Sequence, residues 1–267
     1  MRGEEDRAAG EGWISPEEAR AALAHGRGKG VRVAVIDSGI DADHPKLDGM
    51  ALRDSVAIVE EGGRLRVDEN AGSDVYGHGT AIAGIVHEVA PEAEVGSFRV
   101  LDARNLSRTA IICEGVRQAI NRGYHIINCS FGCRGLAKFV LPHKAWIDEA
   151  YLRGVHVVAA CNNFDLMEPE WPGHFSSVIT VNMARTDSDF FFCRRNTLVE
   201  FAARGENVEV AWMGGGKKLE SGSSFAAPRV TGYLARILSE APGLPPAHML
   251  DLLHRIADPW SEELGCS

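Results

Sequence analysis

The sequence predicts an α/β fold in three layers, a mostly parallel central sheet with helices on both faces. Two observations carry that prediction. Short β-branched runs recur at 31–36, 94–100, 125–129, 155–160 and 177–182, each in the pattern of a buried strand. Between them lie stripes with helical spacing: Ile82, Ile85, Val86, Val89; Ile112, Gly115, Val116, Ala119; and Val230, Leu234, Ile237, Leu238. Strands that alternate with helices form parallel sheets covered on both sides.

The elements follow in order. Residues 1–27 read as a charged, glycine-punctuated N-terminal arm around a helix at 16–25, with Pro16 at its start and Gly26 after it. Residues 28–267 read as a single domain. Val31–Ile36 is a buried strand that stops at Asp37-Ser38-Gly39. The stretch 52–75 is rich in Gly, Glu, Asp and Arg and breaks the alternation, as a surface excursion or hairpin does. The remaining strands and helices then alternate to a last helix near 246–256.

Composition narrows the function. The chain has 267 residues, 28 basic and 37 acidic side chains, and a formal net charge of −9. An acidic surface repels phosphate, so nucleic acid is not expected as a partner. No apolar run approaches the roughly 18–20 residues of a membrane span, and the N-terminus lacks the apolar core of a secretory signal, so no membrane partner is expected. Six sparse cysteines without an export signal read as free thiols in the cytoplasm. Cys129 and Cys133 read as small core residues in preference to metal ligands.

Three polar residues stand at element boundaries, where packing does not require them. Asp37 follows the first strand, His78 lies in Tyr76-Gly77-His78-Gly79-Thr80 ahead of a helix, and Ser224 lies in Ser221–Pro228 at the opening of another. A serine hydroxyl is a weak nucleophile near neutral pH and needs a base. Histidine titrates in that range, and a carboxylate on its other nitrogen fixes the tautomer and stabilises the imidazolium. A serine at a helix start also gains backbone N–H groups directed at developing negative charge. Pro228 is expected in the first turn, where amides lack intrahelical partners. Singly, Asp37 is a turn former, His78 a cap or core residue and Ser224 an N-cap. Together, in the order Asp, His, Ser, they form one of the known orders of a nucleophilic triad.

On these residues the sequence resembles the subtilisin-like serine proteases over roughly residues 28–256. VAVIDSGIDADHP resembles the family's Asp motif, GHGTAIAG its His motif and GSSFAAP its Ser motif. Ile127–Gly132 resembles the strand that lines the primary specificity pocket, and Val157–Asn162 the strand that ends in the oxyanion asparagine. The resemblance implies a serine endopeptidase with catalytic Asp37, His78 and Ser224, an oxyanion donor at Asn162, and substrate contacts at Ser130, Phe131, Gly132, Ala160 and Cys161. Asn163 stands beside Asn162, and a one-residue shift of alignment would exchange the two. A protein or peptide substrate would add as an extended strand beside Ser130–Gly132 and the loop 102–107.

Departures from the pattern carry their own expectations. Ala81 stands where many members have a second histidine. Cys161 stands at the glycine before the oxyanion asparagine and is expected to reshape the pocket wall. The short connection from Gly84 to Phe98 lacks the loop of the tight calcium site, and Lys46 stands where that site wants a carboxylate, so no metal and no cofactor are expected. No propeptide is recognisable in the thirty residues before the first strand. The family's closing C-terminal strand is expected to be missing. Asp74, Asp165, Glu168 and Glu170 would favour basic substrate side chains, unless they are solvated loop charges. The leading reading is a selective cytoplasmic processing protease. The alternatives are a macrocyclase that uses the same acyl-enzyme and a catalytically silent peptide-binding module.

Overall fold

A computed structural model describes residues 13–194 and 196–261. Residues 1–12 of the expected arm and Cys266 lie outside them. The arm's helix, α1 (Pro16–His25), is present and opens on a capping box: the Glu18 N–H donates to Ser15 Oγ, and the Ser15 N–H donates to the Glu18 carboxylate. Ala19, Ala22 and Leu23 are buried against α5 (Ser223–Glu240) and α6 (Pro246–Ile256). Arg236 of α5 donates to the carbonyls of Leu23 and Val89, which satisfies helix-terminal acceptors of two neighbours at once.

The central sheet is mostly parallel. Along the chain its strands are β1 (Arg32–Asp37), β2 (Ala51–Glu61), β3 (Arg64–Glu69), β4 (Glu94–Arg99) and β5 (Ile126–Cys129). After the short β6 (Cys133–Arg134) come β7 (His156–Ala160), the short β8 (Glu170–Trp171) and β9 (Ile179–Ala184). Then follow β10 (Phe191–Cys193), β11 (Phe201–Arg204), a separate β12–β13 hairpin (Val208–Trp212, Gly216–Glu220) and β14 (Asp258–Pro259). The ten-stranded order is β14-β10-β11-β9-β7-β5-β1-β4-β2-β3. The 52–75 excursion is the β2–β3 hairpin, turned on Gly62–Gly63 with positive φ at both, and it extends the main sheet at its edge. β14 pairs in parallel with β10, so a two-residue strand follows α6 where none was expected.

Helices α2 (His78–Val89), α5, α1 and α6 pack into one buried cluster. Helices α3 (Thr109–Asn121) and α4 (Val140–Leu152) pack into another on the opposite face. Strand β1 pairs with β4 on one side and β5 on the other, so the chain winds both ways from it. At such a switch point the C-terminal strand ends open into a crevice. Asp37, Ser130 and Cys161 all stand there, at or just after the ends of β1, β5 and β7.

Helix α5 is apolar nearly all round and runs buried beneath that crevice. Ala226 and Ala227 are fully buried, and their small side chains permit close packing. Pro228 is the sixth residue of α5, in its second turn, not the first as expected. It has no N–H to give the carbonyl four residues back, which is that of Ser224. The Ser130 hydroxyl donates to that carbonyl at 2.9 Å, and the Ser224 hydroxyl donates to the Ser130 carbonyl at 3.1 Å. Ser130 Oγ also accepts from Asn128 Nδ2, and Asn128 Oδ1 from Thr231 Oγ1. The helix start is thereby locked to the end of β5.

Ser130→Ala is expected to cost about 1–3 kcal/mol of stability. In a Pro228→Ala background a helical N–H replaces the hydroxyl, so the same change is expected to cost at least about 1 kcal/mol less. Denaturant unfolding of the four proteins measures both costs. Equal costs in the two backgrounds would show that Ser224's carbonyl does not depend on Ser130.

Candidate active site

Asp37 ends β1 and is fully buried; the Ser38 N–H donates to its carboxylate at 2.7 Å. His78 opens α2 with 7% of its surface exposed. Its Nδ1 lies 2.9 and 3.0 Å from the two Asp37 oxygens. A carboxylate accepts only, so Nδ1 carries the proton and a neutral ring presents Nε2 as a base. Burial disfavours the charged ring, but the Asp37 charge and hydrogen bond outweigh it, with smaller help from Asp74 and Glu220. His78 is held above the ordinary histidine range.

Asp74 is fully engaged within the protein. Its Oδ1 accepts from the Tyr76 and Gly77 N–H groups and from Ser38 Oγ at 2.7–2.9 Å. Its Oδ2 accepts from the Thr80 N–H and hydroxyl. The carboxylate thus meets the exposed amides and the dipole at the start of α2. Ser38 Oγ also accepts from the Gly79 N–H, and Thr80 Oγ1 from the Asp41 N–H. This network clamps the loop after β1 to the start of α2, and so sets Asp37 against His78.

Ser224 lies in the first turn of α5, where backbone N–H groups have no intrahelical partner. Its hydroxyl donates to Ser130 and not to His78, although the His78 ring stands edge-on to the adjacent Phe225 at 5.6 Å between centroids. Hydrogen bonds to a nucleophile are often loose before substrate binds.

The two asparagines after β7 separate clearly. Asn162 Oδ1 accepts from the Phe164 and Asp165 N–H groups, so its carboxamide caps its own loop. Asn163 Oδ1 accepts from the Ser223 N–H at 2.7 Å, beside Ser224. The residue that holds the Ser223 N–H at the start of α5 is Asn163. Both side-chain oxygens are thus held, and each asparagine keeps an Nδ2 to donate.

The other expected contacts divide in the same way. Ser130 and Gly132 stand by the crevice, whereas the Phe131 side chain packs against the α3–α4 core. Ala160 ends β7. Cys161 follows it, and its thiol donates to Asn182 Oδ1 at 3.4 Å, which engages the thiol with β9. The Cys161 carbonyl accepts from Ser223 Oγ, a second tie between β7 and α5. Cys129 is fully buried and burial pushes its thiol up, as suits a core residue. Lys46 pairs with Glu209 at 2.9 Å.

Comparison with known proteins places the sequence and the fold among the subtilases. The sequence model of the subtilase family matches residues 28–265. An intracellular serine protease of Paenibacillus polymyxa is 33% identical over 233 residues, covering 79% of this chain and 67% of that protein. A thermostable alkaline protease of Halalkalibacterium halodurans is 30% identical over 82% of this chain, and there the match spans only 60% of the relative's length. A crystal structure of a cold-adapted subtilisin-like serine proteinase superposes with a TM-score of 0.71 at 27% identity, covering 86% of this chain and 83% of the other. Sphericase shares the fold, with a TM-score of 0.73 at 23% identity and coverage of 89% and 88%.

By NMR, the His78 imidazole is expected to titrate above 6.5, and Asp37→Asn to bring it below, because the raising charge is lost and the burial stays. An unchanged titration in Asp37→Asn would contradict the assigned electrostatics.

Proposed function

The chain belongs to the subtilase family, and from that premise we propose that it is a serine endopeptidase acting through Asp37, His78 and Ser224. The observation that supports this best is the buried Asp37–His78 pair, whose imidazole packs against Phe225 in the N-terminal turn of the buried helix that carries Ser224. The Ser224 hydroxyl turns from the Ser130 carbonyl toward His78 Nε2 and attacks the peptide carbonyl as the proton passes to the ring. Asp37 holds the tautomer and balances the imidazolium. The oxyanion that forms is met by the Ser224 N–H and by the Asn162 side-chain amide, while Asn163 holds the Ser223 N–H next to it. The imidazolium then protonates the leaving amine. Water, deprotonated by the same ring, releases the acyl group from Ser224.

Residues 28–267 form the catalytic domain in this reading, with 1–27 as its arm. The substrate is a protein or peptide segment, added as an extended strand beside Ser130–Gly132 and the 102–107 loop. A cytoplasmic setting is supported by the thiols of Cys113, Cys129 and Cys133, which stand unbridged, and by the relative named as intracellular. Among the described residues no helix is long and apolar enough to cross a membrane.

Hydrolysis of an unfolded protein and of short peptides tests the proposal. Ser224→Ala is expected to lower kcat on the order of 10⁶-fold. Asn162→Ala is expected to lower it about 10²–10³-fold, and Asn163→Ala less than about tenfold. The two larger magnitudes are those known for subtilisin itself. The kcat/KM is expected to rise with pH through the raised pKa of His78, since only the neutral ring accepts a proton. Wild-type turnover that survives Ser224→Ala would sink the reading, as would an Asn163 effect larger than that of Asn162.

A further inference from the structure

We propose that Glu170 is the specificity determinant of this site, and that it selects a lysine or arginine side chain on the residue whose carbonyl Ser224 attacks. The inference rests on the serine-peptidase reading. Of the four acids expected to favour basic substrates, Asp74 is consumed by the α2 clamp, and Asp165 accepts from the Met167 N–H in its own loop. Glu168 is an exposed loop residue.

Glu170 differs from these three. Two short strands place it: β8 pairs antiparallel with β6, with Cys133 opposite Trp171 and Arg134 opposite Glu170. Its carboxyl group then occupies the space above Gly132, where a Cβ would overlap it, so only glycine at 132 leaves room for the acid. On the other side, an added Cβ on Gly173 would lie 3.2 Å from the Ala160 carbonyl oxygen, which brings the 170–173 segment under the end of β7. Residues 170–173 thus form a floor between Ser130–Gly132 and Ala160–Cys161. The Ser224 hydroxyl is bonded to Ser130, on one side of that floor.

The carboxylate is half-buried and makes no hydrogen bond or ion pair among the described residues. Arg134, its register partner, is exposed and unpaired with it. A half-buried acid without a partner lacks part of its compensation, and a guanidinium or ammonium supplied by substrate restores it. Lysine and arginine also fit by shape, because their long apolar stems can line a slot while the charged end reaches its floor.

The acid's own titration adds a pH dependence. Burial, reinforced by Glu168, pushes Glu170 up to about 7. The groups that face it are Arg134 and Cys133 on β6, Glu168 before it, and His174 after it. The His174 Nδ1 accepts the Glu170 N–H, and burial holds that ring below the ordinary range. Below about 7 the Glu170 carboxyl is neutral and cannot pair with a cation, so the preference for basic residues weakens as pH falls.

The test uses peptidyl-coumarin substrates that differ only in that residue (Arg, Lys, Leu or Glu), with p-nitrophenyl acetate as a substrate that has no such side chain. Wild-type kcat/KM for Arg and Lys is expected to exceed Leu on the order of 10²-fold at about pH 8, and the ratio to fall toward about pH 6. The shared His78 titration cancels in that ratio. Glu170→Gln is expected to collapse the Arg:Leu ratio to within about fivefold of unity, and Glu170→Asp to keep part of it. Ratios taken within one preparation do not depend on the folded fraction. Equal wild-type rates for Arg, Lys and Leu, with ester hydrolysis intact, would overturn this proposal and leave the peptidase reading standing. A basic preference that persists in Glu170→Gln would overturn it as well. Absence of both ester and peptide hydrolysis would overturn the two together.

Discussion

The site depends on one junction, the lock between the end of β5 and the start of α5. A proline in the second turn of a buried helix leaves one carbonyl without its helical donor, and here that carbonyl belongs to Ser224. The Ser130 hydroxyl fills the gap, and the Ser224 hydroxyl answers by donating to the Ser130 carbonyl. The same bonds therefore hold Ser224 in register with the strand beside which substrate is proposed to lie. Because α5 is enclosed nearly all round, its N-terminus has little freedom to move relative to the sheet. The Ser224 backbone is thus fixed before any substrate arrives, and in the proposed attack only its hydroxyl has to turn from Ser130 toward His78.

Electrostatics divide the acidic residues into separate tasks. Asp37 is fully buried and couples to His78, raising the base against the pull of desolvation. Asp74 gathers amide and hydroxyl donors and turns them into a mechanical clamp between two loops. Glu170 lacks such donors among the described residues and keeps an unmet demand for a cation. The three side chains differ little in chemistry. What separates their roles is the number of donors that the surrounding backbone supplies.

The parallel core was legible in the sequence because buried strands read as β-branched runs, and the Asp37–His78 contact because polar residues at element ends stand out from the packing pattern. Other features left no local signal. Helix α4 escapes the stripe analysis because Leu141 and Leu152 face solvent, which blurs its periodicity. Strands β10 to β13 are three to five residues long, too short for a period to stand out. Residue type cannot separate Asn162 from Asn163, and only the Ser223 N–H distinguishes them. The position of Glu170 over Gly132 comes from the pairing of two-residue strands distant in sequence. Pro228 was visible, but its consequence required knowing that α5 begins at Ser223.

The most direct test of the account is covalent labelling with a fluorophosphonate, with the modified residue read by mass spectrometry and Ser224→Ala as control. The account predicts stoichiometric modification at Ser224 alone, slowed strongly in His78→Ala. Folded protein that remains unlabelled, or label that lands elsewhere and persists in Ser224→Ala, would contradict it.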